Sequence, residues 1–358
     1  MGRRSNQSVL NSLLTRVEAG DNGFKYECKE RKTIDWSKYD TAQINEINDM
    51  LESIRDSVDQ AVLELNIEAR YKEEKAKPGQ PMVFPGDLAK ALLLQQYFQV
   101  ANRVAQGLVL LFKEKLRITD TFSYKSIERA YANRFVQDIL HHLFVATQEP
   151  VIGKEHCFST DGTGAPTSMK YNYETEKHRR KQDEERKLDT FEQLILTVGS
   201  QYKLITDFIM TSNPYANESP FLKEAVQRVS SVYEDIDVWT ADAGYISREN
   251  TEAISLIGAL PRIYPKKNDT FKAKGSSAWK QMHYDLIRDP QQWLRDYHQR
   301  SISETVNSVY ARMFPKPLGR DIRVRRFYEA FARVCLYNLK RLVYLRYLED
   351  IIADWDST

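Results

Sequence analysis

The sequence predicts an α+β protein. It divides into a helical N-terminal region (residues 1–150), a mixed β-sheet core flanked by helices (151–314) and a basic, helical C-terminal segment (315–358). Three observations carry this. Apolar residues recur every three or four positions before Glu149-Pro150. After that dipeptide come short β-prone runs bounded by turn residues and alternating with helical stretches. From Arg312 onward the helical period returns, now rich in Lys and Arg.

The first 35 or so residues are polar and mixed in charge and read as a loosely attached arm. Thr41 to Arg70 reads as a helix, with Ile44, Ile47, Leu51, Ile54, Val58, Val62 and Leu65 in one apolar stripe. The stripe either packs within its own domain or, being nearly heptad-like, forms a dimerisation helix. Lys72 to Gln80 is charged, ends in Pro-Gly and reads as a loop. Asp87 is a candidate cap for a helical block running to about Phe144. Thr121 or Ser123 can cap its last helix, on which Lys125, Arg129 and Asn133 share a face opposite Ile127 and Phe135. A helix entering a DNA groove carries such residues, and so does a solvated surface. His141 and His142 read as ordinary helix residues, because no second ligand cluster accompanies them.

In the core, Cys157–Thr160 is a short strand that delivers Asp161, followed by Gly162-Thr163-Gly164. An Asp at a strand end before Gly exposes its carboxylate and lets another backbone or a phosphate approach. An Asx-turn aspartate looks the same. Lys170 to Asp189 is a polar surface loop, in which Lys177, Arg179, Arg180 and Lys181 could grip DNA. Phe191–Val198 and Leu204–Thr211 form a hairpin. A helix from Ser219 to Tyr233 leads to a buried strand, Ile236–Thr240, which exits at Asp242. Asp235 and Asp237 are rivals to Asp242, which is preferred for its place at the strand exit before Gly244. Ser247–Leu256 is helical, Ala259–Tyr264 is a strand, and Trp239, Trp279 and Trp293 read as packing residues. If the strands bearing Asp161 and Asp242 are neighbours, their carboxylates stand side by side.

Gln291 to Phe314 has no Gly and no internal Pro and reads as one helix. On it Tyr297, Arg300 and Glu304 fall at i, i+3 and i+7, on one face. A phenol, a guanidinium and a carboxylate so aligned suit a site holding a metal ion and a phosphate. An ordinary Arg–Glu surface pair has the same spacing. Three converging carboxylates repel one another unless cations lie among them. Two Mg²⁺ (or Mn²⁺) ions about 4 Å apart resolve the repulsion and serve in-line attack on a phosphodiester.

Composition narrows the possible partners. The formal net charge of the 358 residues is only +2, so a polyanion must be met by local patches. Such a patch lies between Arg312 and Arg346, which includes Lys316, Arg320 and Arg323 and has only Asp321 and Glu329 in opposition. A solvated helix surface is the other reading of that strip. Cys28, Cys157 and Cys335 are scattered, which argues against a zinc site or a disulfide framework and fits a reducing cytoplasm. The start, MGRRSNQS, has no apolar run of signal-peptide type, and no stretch approaches the roughly 20 apolar residues of a membrane helix.

The strings STDGTG, TADAGYIS and YHQRSISETVNSVYARMF resemble the three catalytic blocks of DDE transposases of bacterial and archaeal insertion sequences. The layout is most similar to the group with a Tyr-x2-Arg-x3-Glu third block, whose spacing Tyr297, Arg300 and Glu304 reproduce. The resemblance covers roughly Phe158 to Leu348. It implies a ribonuclease-H-like core, metal-binding catalytic acids at Asp161, Asp242 and Glu304, and DNA-phosphate contacts at Tyr297 and Arg300. It also implies two Mg²⁺ or Mn²⁺ ions, terminal inverted repeats and target DNA as double-stranded partners, and a homodimer in the active complex. A Lys usually follows the Glu by about seven residues in the family. Here position 311 is Ala, so that basic role falls to the neighbouring Arg312. The implied activity is cleavage of transposon ends and strand transfer to target DNA. A metal-dependent nuclease without strand transfer and an inactive DNA-binding protein are the alternatives.

Overall fold

In the computed structural model, residues 5–24, 33–75, 83–167, 191–211, 216–266 and 269–356 are described. The charged loop expected at Lys170–Asp189 and the Pro-Gly end of the Lys72–Gln80 loop fall outside them. The chain forms two compact units, each built from three separate segments. One comprises residues 1–33, 152–164 and 193–309; the other comprises 34–151, 165–192 and 310–358.

A five-stranded sheet organises the first unit: β1 (Cys157–Pro166), β2 (Phe191–Gly199), β3 (Ile205–Met210), β4 (Val238–Ala241) and β5 (Leu260–Ile263). Their order is β3-β2-β1-β4-β5. β1 pairs parallel with β4, β4 parallel with β5, and β2 antiparallel with β3 as the expected hairpin. Every residue of β2 and β4 is buried, so both faces of the sheet centre are covered. The helix Ser219–Ser230 supplies Leu222, Ala225, Val226 and Val229 at helical spacing. Ser247 caps the helix Arg248–Leu256 by accepting from Asn250 N at 3.0 Å. On β5, Arg262 is buried yet satisfied, pairing with Asp296 at 3.2 Å and Asp285 at 3.4 Å.

The first residues are not a loose arm. Asn6–Glu18 is a helix whose Leu10, Leu13 and Leu14 are buried. Gln7 fixes it, donating to Asp269 O and accepting from Phe271 N. A Leu pair at i, i+3 with a neighbour at i+4 is enough of an apolar stripe to dock so short a helix.

The second unit is helical. The segment expected as one helix over Thr41–Arg70 is two, Trp36–Glu64 and Ile67–Lys75, separated at Asn66, whose φ is 50°. Leu51, Ile54, Val58 and Val62 are buried, whereas Ile44 and Ile47 stay exposed. Asp87 does not cap its helix, which begins at Pro85. Instead its buried carboxylate accepts from Thr119 N, Thr119 Oγ1 and Asp120 N, fixing a loop 32 residues away. The helix expected over Tyr124–Phe144 is likewise two, Tyr124–Ala130 and Arg134–Ala146, and Asn133 caps the second by accepting from Phe135 N and Val136 N. Asn133 therefore leaves the face it was expected to share with Lys125 and Arg129. His142 pairs with Glu64 at 2.7 Å and His141 meets Tyr328 at 3.2 Å, as ordinary helix residues do.

The helix Trp36–Glu64 also pairs with the long helix Arg323–Glu349. Lys340 meets Glu46 at 2.9 Å, and Arg346 meets Asp49 at 2.8 Å. No helix among the described residues is long and apolar enough to cross a membrane.

Candidate active site

Two aspartates occupy equivalent places on neighbouring parallel strands. The last paired residues of β1 and β4 are Thr160 and Ala241, so Asp161 and Asp242 come next on each. Neighbouring strands lie about 4.8 Å apart, which brings the two carboxylates to one edge of the sheet. β1 does not end at Asp161, as expected, but runs extended to Pro166. Asp242 turns out of the sheet at once and caps the turn Ala243–Tyr245, accepting from Gly244 N at 2.7 Å. A Cβ at Gly244 would lie 2.8 Å from Asp242 Oδ1, so a larger residue there would push this carboxylate aside. The rivals Asp235 and Asp237 precede β4 and lie at its opposite end.

Asp161 is the most perturbed acid here. Its Oδ1 accepts from Gly162 N at 3.0 Å and its Oδ2 from Asn307 Nδ2 at 3.1 Å. Burial pushes its pKa up to about 7, the charge of Asp242 adds to the rise, Arg300 opposes it, and Glu218 adds again.

The stretch expected as one helix over Gln291–Phe314 is broken. A helix, Pro290–Tyr297, passes through a 3₁₀ turn, His298–Arg300, into a second helix, Ser301–Met313. Glu304 still meets Arg300, at 2.6 Å across the junction. Tyr297 stacks on Trp293, with ring centres 5.5 Å apart, and the Arg300 guanidinium lies 5.9 Å from the Tyr297 ring centre. Two hydrogen bonds dock the second helix on β1: Ser159 Oγ to Ser303 Oγ at 3.0 Å, and Asn307 to Asp161. Ser303 and Asn307 are four apart and bracket Glu304, which is thereby held near the end of the β1–β4 pair.

Among the described residues, no three His, Cys, Asp or Glu side chains stand close enough together to hold a metal ion. Each acid has a local donor instead: Arg300 for Glu304, Gly244 N for Asp242, and Asn307 with Gly162 N for Asp161.

Sequence reasoning missed two residues of this site. Asn307 was findable, since i+3 from Glu304 puts it on nearly the same helix face. Glu218 was not, because only the folded chain brings it beside Gly162.

The residues expected to meet DNA fare differently. Lys125, Arg129, Arg312 and Arg323 are exposed, and Lys316 is exposed with its Nζ donating to Gln99 O at 2.7 Å. Arg320 is engaged inside its unit: it donates to Gln95 Oε1 and Asn102 Oδ1 and lies over the Tyr131 ring at 4.2 Å. Much of the remaining basic strip is likewise internal. Arg326 meets Glu192 at 2.6 Å, Arg333 meets Glu329 at 3.1 Å, and burial lowers the pKa of Arg341.

The chain is similar to a protein of Archaeoglobus fulgidus described as a probable transposase for insertion sequence element ISA1214. The two are 26% identical over 247 residues, which cover 67% of this chain and 69% of that protein. No family model matches the chain.

Proposed function

We propose that this chain is a transposase that cleaves the ends of an insertion sequence and joins them to target DNA. The observation that carries the reading is the register of β1 and β4, which brings Asp161 and Asp242 to one sheet edge with the helix of Glu304 docked beside them. The strand order β3-β2-β1-β4-β5 supports a ribonuclease-H-like core, and the similarity to a probable transposase supports action on DNA.

The residues fit Mg²⁺ or Mn²⁺. Asp161, Asp242 and Glu304 are hard oxygen donors, and the Asn307 Oδ1 beside them is a buried acceptor with no hydrogen-bond partner. These three carboxylates would hold the ions. Bound ions supply activation of the attacking water and neutralisation of charge on the phosphodiester.

The chain's own groups do the rest. With Glu304 among the residues that would hold the ions, the Arg300 guanidinium would pair with phosphate oxygens, and the Tyr297 phenol would donate beside it. Water attacks phosphorus and the bond to the 3′ oxygen breaks, leaving a 5′-phosphate and a 3′-OH. That 3′-OH attacks a target phosphorus, whose bond to its own 3′ oxygen breaks, so a new phosphodiester forms and a target 3′-OH is released. Lys125, Arg129, Arg312, Lys316 and Arg323 contribute phosphate contacts on double-stranded DNA. Two ends are handled by a homodimer, on chromosomal DNA in the cytoplasm of a prokaryotic cell.

The test incubates the protein and Mg²⁺ with DNA carrying the element's terminal inverted repeats and a target plasmid. Cleaved ends and joined products are expected from the wild type, and bound but intact DNA from Asp161→Asn, Asp242→Asn and Glu304→Gln. Full cleavage by all three variants overturns the site. Cleavage by the wild type without joining makes the protein a nuclease.

A further inference from the structure

Glu218 stands at the head of the helix Ser219–Ser230 but makes no capping bond to it. Its side chain lies against the backbone of Gly162, the residue after Asp161. A Cβ at position 162 would come within 2.7 Å of Glu218 Oε2 and closer still to Oε1, so only glycine admits this carboxylate. Gln193 Nε2 donates to its Oε1 at 2.6 Å, and the Tyr245 hydroxyl also reaches this carboxylate. Among the described residues it has no ion pair.

A second kind of observation points the same way. Gln193 is 3% exposed and Asn307 8% exposed, and each binds an acid of the cluster through its amide nitrogen. Among the described residues, the amide oxygen of each is buried with no donor. The Tyr245 side chain is fully buried, with Glu218, Asp161 and Asp242 around it. A divalent cation among these carboxylates would satisfy such acceptor oxygens.

We infer that Glu218 is a fourth carboxylate of the cation site, acting with Asp161 from the β1 side while Glu304 approaches from its helix. The inference rests on the metal-dependent reading above and extends its donor set. It also explains why Gly follows Asp161: the glycine makes room for Glu218.

The test measures Mn²⁺ binding to the full chain by titration calorimetry, without DNA, at a pH above the Asp161 pKa of about 7. Glu218→Gln is expected to weaken Mn²⁺ about tenfold or more, in the range seen when groups supporting a metal site are removed. Gly162→Ala, which displaces Glu218 while keeping every acid, should weaken it as well. Glu224→Gln, on the outer face of the same helix, should leave it unchanged. The metal-free melting temperature separates site from packing. Removing a repelling charge should leave Glu218→Gln at or above wild type, whereas loss of a packing residue would lower it. Unchanged Mn²⁺ affinity in Glu218→Gln, with Asp161→Asn losing it, overturns the fourth ligand and leaves the site standing. Wild-type affinity in Asp161→Asn and Asp242→Asn alike overturns the site reading itself.

Discussion

Arg300 holds Glu304 at 2.6 Å from a 3₁₀ turn, one turn of chain before the helix that carries the acid. The pair is half in solvent, with the Glu304 side chain 53% exposed, so its net contribution is about 0.5 kcal/mol. A cation can therefore take Glu304 from Arg300 at small cost. Arg300→Ala should change Mn²⁺ affinity by roughly threefold or less, upward, because 0.5 kcal/mol is little more than a factor of two. Cleavage should fall far more, by about 100-fold or beyond, if the freed guanidinium neutralises phosphate. Equal small losses in both assays would count against that role.

Asn307 has the opposite weighting. It is buried, and its amide is the donor that reaches Asp161 Oδ2 from the helix of Glu304. Asn307→Ala should cost about 1–3 kcal/mol of stability in urea unfolding, the range for a hydrogen bond to a charged group. Asn307→Asp adds a like charge and should raise the Asp161 pKa further. A carbon-labelled Asp161 carboxyl followed by NMR would report that shift, and a fall would refute the contact.

The Asp161 pKa of about 7 lies above its ordinary value of 3.8, and the sign of its pH effect follows. Between those values the folded state binds the proton that the unfolded state has lost. Stability of the metal-free protein therefore falls as pH rises from about 4 to about 7, then levels off. Partial exposure limits the effect to about 1–3 kcal/mol, below the roughly 4 kcal/mol of a three-unit shift at full weight. Asp161→Asn should flatten this part of the melting profile and melt above wild type near neutrality. An unaltered slope in the variant would show that burial of Asp161 is not its source.

The parts legible in sequence were those written in local chemistry. The short β-prone runs Cys157–Thr160 and Ile236–Thr240 announce strands, and neighbouring them places Asp161 beside Asp242. The breaks were not legible. Asn66 takes a left-handed conformation with no Gly or Pro to mark it, and His298–Arg300 tightens into a 3₁₀ turn within a run that reads as helix. Charge was the least legible. Counting acids along Arg312–Arg346 finds only Asp321 and Glu329, but Glu46, Asp49, Glu128 and Glu192 arrive from distant segments to meet Lys340, Arg346, Arg325 and Arg326. A strip with ten Lys and Arg against two acids in sequence thus meets four more acids in space and is partly neutralised.

That redistribution yields a sharp contrast within one helix. Arg323 is exposed at its start, whereas Arg333 is 5% exposed and donates to Gln96 Oε1, Lys316 O and Pro317 O. Arg323→Ala should leave the melting temperature within error. It should weaken DNA binding evenly across sequences and lower the slope of log affinity against log salt by about 1. Arg333→Ala leaves buried Glu329 without its partner and should destabilise the protein by about 3–5 kcal/mol. Binding of the surviving folded fraction should keep the wild-type salt slope. If instead Arg333→Ala folded normally and lost the slope, its guanidinium would be reaching DNA, and the internal ion pairs would not describe the working protein.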